Sequence, residues 1–189
     1  MKFENSETLQ CLINAFTGES MARNKYTFYA KAAKNEGFIQ ISDIFEETAK
    51  NEAEHAKLFY KQIPNGRYVP NATYPFFYGC TYENLLSASE AEKDEWENVY
   101  KYASQTAKAE GFDEISKLFS HIAEIEKRHS YRFGVLSEEL ECESLLKKPE
   151  IAQWICTKCG HTHIGKEAPC KCPVCDHPQG YFKLFFEKF

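Results

Sequence analysis

AKNEGF at residues 33–38 recurs as AKAEGF at residues 107–112, an offset of 74 residues. In each copy, a run with apolar residues at three- and four-residue spacing precedes the motif and another follows it, a pattern typical of amphipathic helices. Glycine directly after a helical run indicates a helix end, so Gly37 and Gly111 predict tight turns between antiparallel neighbours. The sequence therefore predicts two helical hairpins related by duplication.

A long connection separates the two hairpins. It covers residues 64–80 and contains Pro64, Pro70 and Pro75 together with several aromatic residues. The four helices are predicted near residues 6–36, 40–62, 82–110 and 113–143. Two hairpins joined by one long crossover make an all-α, ferritin-like four-helix bundle, which we assign to residues 1–146.

The second copy of the repeat contains one additional residue. Glu19 in the first predicted helix matches Glu92 in the third at an offset of 73 rather than 74 residues. A single insertion within a helix is often absorbed as a π-bulge, frequently near a functional site. We therefore expect a π-bulge in the third helix.

The composition argues against several kinds of partner. The 23 Lys and Arg residues are balanced by 28 Asp and Glu residues, so the net charge is −5 and no basic stripe is available for nucleic acid. No stretch approaches the roughly 18 apolar residues of a membrane span. The N-terminus, MKFENSETLQ, lacks the apolar core of a signal peptide. These features predict no nucleic acid, no membrane association and a cytoplasmic location.

Carboxylates and imidazoles at repeat-equivalent positions predict a metal site. The second and fourth helices each carry a Glu-x-x-His pair, and residues three apart share one face of a helix. The first and third helices each contribute a glutamate at the matching place in the repeat. The complete set is Glu19, Glu52, His55, Glu92, Glu126 and His129. Ferritin-like di-iron and di-manganese proteins use this set of ligands.

A single Glu-x-x-His pair would more often belong to a solvated helix face. Two equivalent pairs with matched glutamates favour metal, because four carboxylates buried together without cations would be very costly. Glu95, three residues after Glu92, has two interpretations. It is either a surface glutamate in the acidic run 90–97 or a seventh ligand that makes the two metals inequivalent. We favour the seventh ligand.

The chain changes character after Leu146. Residues 147–189 are short, rich in cysteine and interrupted by Gly and Pro, and a segment of this size needs a staple to fold. Two C-x-x-C motifs supply one, and their cysteines are Cys156, Cys159, Cys172 and Cys175. Four thiolates form a tetrahedral site for zinc or a single iron, and the spacing alone does not distinguish these metals. Cys170, beside the second motif, is expected to be a spare thiol, and the alternative is that it substitutes for one of the four ligands.

The two domains together resemble the rubrerythrin family. The resembling segments are GESMARNKY at 18–26, WICTKCG at 154–160, EAP at 167–169 and CPVC at 172–175. The first is similar to the family's first-helix signature, and the other three are similar to its rubredoxin-like tail. The resemblance implies a di-iron bundle followed by a rubredoxin-like domain with one Fe(Cys)4 centre, and zinc is possible in either site.

The resemblance also implies roles for the ligands. Glu52 and Glu126 would bridge the two irons. Glu19 and Glu95 would bind one of these irons, and His55 would replace Glu95 when the centre is reduced.

The second iron would be held by Glu92 and His129. Tyr26 and Tyr100 match tyrosines that lie beside the ligands in the family. Asp176 replaces the usual glycine after the last cysteine of the tail.

The activity implied by the resemblance is the reduction of hydrogen peroxide to water in defence against oxidative stress. A tetrathiolate iron carries one electron at a time, and no Gly-rich dinucleotide motif is present, so an external NAD(P)H-dependent reductase or electron-transfer protein must supply electrons. A helix of about 30 residues is roughly 45 Å long, which separates the two metal sites within one chain. We therefore expect a head-to-tail homodimer in which the tail of one chain serves the di-iron site of the other.

Two other functions remain open from the sequence. A ferroxidase or iron-storage protein would share the bundle and would assemble into a cage. A non-catalytic binding protein would carry a structural zinc ribbon as its tail. Gel filtration and metal analysis separate these alternatives from the peroxidase.

Overall fold

The computed structural model describes residues 2–186, and helices dominate its first three quarters. The helices are Glu7–Asn35 (α1), Ile39–Tyr60 (α2), Thr81–Asp94 (α3), Tyr100–Ala109 (α4) and Asp113–Glu141 (α5). A π-helical turn at Glu95–Val99 joins α3 to α4, so these elements form one continuous helix of the bundle. The prediction of four helices is confirmed, and their ends lie within about two residues of the predicted ones. Among the described residues, no helix is long and apolar enough to cross a membrane.

The two copies of the repeated motif form the same helix ending. Gly37 and Gly111 have φ angles of +90° and +87°, in the left-handed region that glycine adopts without steric cost. The amide of Phe38 donates to the carbonyl of Ala33 over 2.8 Å, the long bond of a Schellman motif. The equivalent bond after Gly111 has the same length. The first motif therefore reverses the chain between α1 and α2, and the second reverses it between α4 and α5.

The π-helical turn accommodates the additional residue of the second copy. Glu19 and Glu92 are 73 residues apart, whereas Tyr26 and Tyr100 are 74 apart, so the insertion lies between Glu92 and Tyr100. The π-helical turn occupies Glu95–Val99, within that interval. Glu92 and Tyr100 are each only 1% exposed. The predicted bulge is confirmed, and it allows both side chains to face the bundle interior.

Two apolar clusters fill the bundle, and the predicted metal ligands lie between them in chain order. Toward the Gly37 turn, one cluster includes Tyr26, Tyr29, Phe45, Leu85 and Phe133. Toward the other end, the second includes Leu12, Phe59, Tyr100, Phe119 and Ile122. On each helix of the bundle, the ligand positions fall between the residues of these two clusters. Apolar layers therefore shield the ligand layer from water on two sides.

The crossover over residues 65–80 contains no helix or strand and lies against α1. The hydroxyl of Tyr74 donates to the carbonyl of Asn14 over 2.8 Å. The hydroxyl of Tyr29 donates to the carbonyl of Phe77, also over 2.8 Å. Phe76 in the same segment is 86% exposed.

The tail is a small antiparallel sheet. Its strands are Lys147–Cys156 (β1), Thr162–Glu167 (β2) and Phe182–Leu184 (β3), in the order β2-β1-β3. Trp154 and Phe182 are fully buried in its core, and the indole nitrogen of Trp154 donates to the carbonyl of Gly165 over 3.0 Å. The strand β1 begins at Lys147, and the domain boundary after residue 146 stays a prediction.

The tail contacts the bundle at the turn between α1 and α2. Gly180 approaches Gly37 so closely that a Cβ atom on Gly180 would clash with the carbonyl oxygen of Gly37. Only glycine is compatible with this approach of two backbones.

Candidate metal centres

The six repeat-related ligands predicted in the bundle converge into two groups. One contains Glu19, Glu52, His55 and Glu126, and the other contains Glu52, Glu92, Glu126 and His129. Within each group, one ligand atom from every residue lies within 4.8 Å of the others. Glu52 and Glu126 belong to both groups, the arrangement that two cations bridged by two carboxylates require. His55 is the most exposed of the six at only 5%, so the whole cluster is shielded from water.

The buried ligand atoms fit a pair of cations better than they fit one another. Several of them have no hydrogen-bond partner among the described residues: Glu19 Oε2, both carboxylate oxygens of Glu52, His55 Nδ1, Glu92 Oε2, Glu126 Oε1 and His129 Nε2. His55 Nδ1 lies 2.8 Å from Glu52 Oε2 and 2.8 Å from Glu126 Oε1, but not in hydrogen-bonding geometry. Buried polar atoms without partners are costly, and metal coordination satisfies them. A set of carboxylate and imidazole donors suits iron.

The charges of the cluster explain why it needs cations. Burial raises the pKa of Glu92 well above its ordinary value, and the charges of Glu52 and Glu126 raise it further. Burial would also raise the pKa of Glu126, but the hydrogen bond from His129 and the adjacent imidazole of His55 lower it to about 2. For His129, burial lowers the pKa, yet the surrounding carboxylates outweigh this effect and raise it to about 11. The carboxylates thus hold positive charge tightly, as a site for divalent cations must.

Two tyrosines orient the outer carboxylates across the repeat. Tyr100 on α4 donates its hydroxyl proton to Glu19 Oε1 on α1 over 2.5 Å. Tyr26 on α1 donates to Glu92 Oε1 on α3. In both glutamates the other oxygen, Oε2, is left without a hydrogen-bond partner. Each carboxylate therefore presents one oxygen to a tyrosine and leaves the second for a metal.

Glu95 lies outside both groups of ligand atoms, although the sequence favours it as a seventh ligand. Its side chain is half-buried and lies close to Gly18. The Oε1 atom of Glu95 is 4.0 Å from the position that a Cβ atom on Gly18 would occupy. His55 instead completes the group that contains Glu19. The resemblance implies this arrangement for the reduced centre. A ligand role for Glu95 therefore stays a prediction.

The cysteines of the tail form the predicted four-thiolate group. Cys156 Sγ lies 3.7 Å from Cys175 Sγ, and Cys159 Sγ lies 3.6 Å from Cys172 Sγ. A tetrahedral metal with bonds of about 2.3 Å to sulfur requires sulfur atoms roughly 3.8 Å apart, so the four atoms fit one ion. Cys170 is exposed and is not part of this group.

The two C-x-x-C loops have matching backbone turns. The amide of Gly160 donates to the carbonyl of Cys156 over 2.9 Å, and that of Asp176 donates to Cys172 over 3.0 Å. Both residues have positive φ angles, +77° for Gly160 and +61° for Asp176. Aspartate tolerates this left-handed conformation better than most residues. The replacement of the usual glycine by Asp176 therefore leaves the loop geometry intact.

A cavity of about 920 Å³ lies beside the di-metal cluster and is lined by α1, the crossover and α3, and no feature of the sequence indicated it. Glu95 and Tyr100 are part of its lining. Its walls come from segments far apart in the chain, which is why no local pattern reveals it.

The fold and these sites define a ferritin-like di-iron protein that carries a rubredoxin-like domain. The rubrerythrin family model matches residues 10–137, and the model of the rubrerythrin rubredoxin-like domain matches residues 154–183. The chain belongs to the rubrerythrin family. The residues present fit the two kinds of iron centre of this family, a di-iron centre in the bundle and a single rubredoxin-type iron in the tail.

Individual relatives agree with this assignment. Rubrerythrin-1 of Clostridium acetobutylicum is 42% identical over 191 residues, which cover 98% of each chain. The solved structure of nigerythrin in its fully reduced, all-ferrous state is 29% identical with a TM-score of 0.64, covering 97% of this chain and 91% of that one. Mycobacterium tuberculosis bacterioferritin BfrA is 19% identical with a TM-score of 0.62, covering 72% of this chain and 87% of that one, and shares the fold alone.

Proposed function

We propose that this protein is a non-haem di-iron peroxidase that reduces hydrogen peroxide to water with electrons relayed through its rubredoxin-like iron. The observation that carries the proposal is that two ligand groups share Glu52 and Glu126 in a chain that also holds a four-thiolate site. A pair of ferrous ions held by these residues would supply the two electrons that cleavage of one O–O bond requires.

Each ligand of the bundle has an assigned role in this proposal. Glu52 and Glu126 would hold both metals, because both residues contribute to both groups. Glu19 and His55 complete one site, as they complete one group.

Glu92 and His129 complete the other site in the same way. The hydroxyls of Tyr26 and Tyr100 hold the outer carboxylates in orientation and stabilise their charge.

Glu95 is assigned the role of an exchangeable ligand. It lies beside Gly18, the neighbour of Glu19, so it is close to the site that His55 completes. An additional carboxylate stabilises ferric ions more than ferrous ions because the attraction grows with charge. We infer that Glu95 replaces His55 when the centre is oxidised.

The proposal requires electrons from outside the chain. An NAD(P)H-dependent reductase or an electron-transfer protein would reduce the tail, which would pass single electrons to the bundle. The tail contacts the bundle at Gly37, 18 residues and roughly 27 Å along the helix from Glu19. This separation supports delivery between chains in a head-to-tail homodimer. Protection of the cytoplasm against peroxide is the role that follows.

Ferroxidase activity with iron storage is the second candidate. The shared fold with bacterioferritin favours it, but a storage protein has no use for a four-thiolate electron carrier. A structural zinc ribbon as the tail would likewise remove the electron relay. Metal content and assembly size distinguish these functions from the peroxidase.

The test uses anaerobically purified protein with its metals counted. We expect about three irons per chain, visible thiolate-to-iron absorption bands that bleach on reduction, and their return when hydrogen peroxide is added. With a suitable reductase, peroxide should drive oxidation of NADH. Absence of turnover with both sites loaded with iron would refute the peroxidase, and a fully active monomer in sedimentation would refute the head-to-tail dimer.

A further inference from the structure

The cavity beside the di-metal cluster has a floor that touches the proposed site. Gly18, Glu95 and Tyr100 all belong to its lining. Tyr100 donates a hydrogen bond to Glu19, and Gly18 is the chain neighbour of Glu19. A molecule that reaches the floor of the cavity therefore lies next to the residues assigned to the metals.

The cavity is much larger than hydrogen peroxide needs. Its volume is about 920 Å³, whereas a water molecule occupies about 30 Å³ in the liquid and hydrogen peroxide is only slightly larger. Sites for organic ligands span roughly 300–1,000 Å³ and are lined mainly by apolar groups. Apolar side chains also dominate this lining, and they include Met21, Phe28, Phe76, Phe77 and Val99. Size and lining both fit an organic molecule.

The charges of the lining select against an anion. Glu90, Asp94 and Glu95 supply three carboxylates, and Lys25 supplies one ammonium group. The ammonium nitrogen of Lys25 lies 5.0 Å from the ring centre of Tyr26 and is already in a cation–π contact. The net negative charge of the lining would repel a fatty-acid carboxylate, whereas it would not repel a neutral molecule.

We propose that this cavity binds a neutral organic hydroperoxide and presents its peroxide group to the di-iron centre. This inference rests on the peroxidase function proposed above and assigns its substrate class. The O–O bond of the hydroperoxide breaks. The reduced di-iron centre would supply two electrons and solvent two protons, so that the products would be the corresponding alcohol and water. The apolar part of the substrate lies against the aromatic wall of the cavity.

Cumene hydroperoxide and its alcohol product, 2-phenyl-2-propanol, are the probes for the test. Ser87 on α3 is half-buried and lines the cavity, so Ser87→Phe fills space there five residues away from Glu92. Leu86→Phe is the matched control, because the neighbouring Leu86 is 38% exposed and does not line the cavity. The rate at which each hydroperoxide reoxidises the reduced holoprotein is measured by stopped flow at equal iron loading.

We expect Ser87→Phe to lower kcat/KM for cumene hydroperoxide by about tenfold or more while that for hydrogen peroxide changes less than about twofold. Leu86→Phe should change neither value. If Ser87→Phe fails to fold, the unsubstituted protein still decides the question, because 2-phenyl-2-propanol should bind it in ligand-observed NMR and compete with cumene hydroperoxide.

Equal loss of both activities in Ser87→Phe, or no binding of the alcohol, would overturn the inference. It would also be overturned if Ser87→Phe dissociated the dimer without changing the ratio of the two activities, since the cavity would then be an interface between copies. Reduction of hydrogen peroxide without reduction of cumene hydroperoxide would refute only the substrate class. Failure with hydrogen peroxide itself would refute the peroxidase function.

Discussion

Glu36 and Glu110, which occupy equivalent places in the two repeats, each cap the first helix of the other repeat. Glu36 follows α1, and its carboxylate accepts from the amide of Thr81 at the start of α3 over 3.0 Å. Glu110 follows α4 and accepts from the amides of Glu7 and Thr8 at the start of α1, over 3.1 and 2.8 Å. The amides of a first helical turn lack partners within the helix, so these bonds tie the two hairpins together.

Replacing Glu110 by alanine should lower the free energy of unfolding by about 1 kcal/mol, the usual cost of losing an N-cap. Urea unfolding at fixed iron loading measures the loss. Glu114→Ala is the control, since Glu114 is exposed and pairs with Lys117, and a similar loss there would contradict the capping role.

The same cap predicts a dependence of stability on pH. Burial tends to raise the pKa of Glu110, but hydrogen bonds from Thr8 and Glu7 outweigh it and lower the pKa below its ordinary value. The contribution is therefore present above the pKa of the unfolded state and is lost as pH falls through the lower folded-state value. In Glu110→Gln, which cannot ionise, this part of the acid destabilisation should be missing when unfolding is followed from pH 6 to pH 3.

Removing a tyrosine hydroxyl beside the cluster should weaken iron binding without changing the fold. Tyr100→Phe removes the bond to Glu19, and loss of such a partner of a ligand typically costs about 10–100-fold in metal affinity or activity. Competition with a ferrous chelator measures the affinity. Tyr29→Phe is the control, because Tyr29 is buried but donates to a backbone carbonyl rather than to a ligand. Equal losses in both variants would show that the effect is one of packing alone.

Loss of a shared glutamate should remove more iron than loss of an unshared one. Glu52→Ala deletes a ligand of both groups, so we expect neither iron of the bundle to be retained. Glu19→Ala removes a ligand of one group only, so about one iron per chain should remain in the bundle. Glu54→Ala is the control, since Glu54 is exposed on the same helix and pairs with Lys57. Metal analysis after dialysis decides the outcome, and equal retention in Glu52→Ala and Glu19→Ala would disprove bridging.

Glu95→Ala should affect the reduced and the oxidised di-iron centre differently. The reduced site should still bind two ferrous ions, because His55 rather than Glu95 completes the group with Glu19. The diferric state should lose a carboxylate and become easier to reduce, which redox titration of the di-iron bands would reveal. An unchanged potential would indicate that Glu95 serves only the cavity.

Cys159→Ser should abolish the visible absorption bands of the tail iron and stop turnover with the reductase. The reduced di-iron centre of this variant should still react once with peroxide. Cys170→Ser should have neither effect, because Cys170 lies outside the four-thiolate group. Loss of the tail iron in Cys170→Ser would show that Cys170 substitutes as a ligand.

The sequence was sufficient wherever the physical cause is local or repeated. Helix ends at Gly37 and Gly111 follow from a residue type that tolerates positive φ. The change of offset from 73 to 74 residues predicted the π-helical turn, because an extra residue in a helix must be accommodated within it. Ligand types and the C-x-x-C spacing indicated both metal centres, since metals demand particular donors.

Which distant groups meet depends on how the two hairpins pack. The caps formed by Glu36 and Glu110 and the cavity beside Glu95 join segments that lie far apart in the chain, and no local pattern reveals that they meet. The choice of His55 over Glu95 in the cluster is equally invisible in the sequence, because both residues are suitable donors at suitable spacing. The amino-acid sequence specifies which residue types are available and on which helix face they lie. The packing of the two hairpins determined their distances, because contacts between remote segments depend on the whole fold.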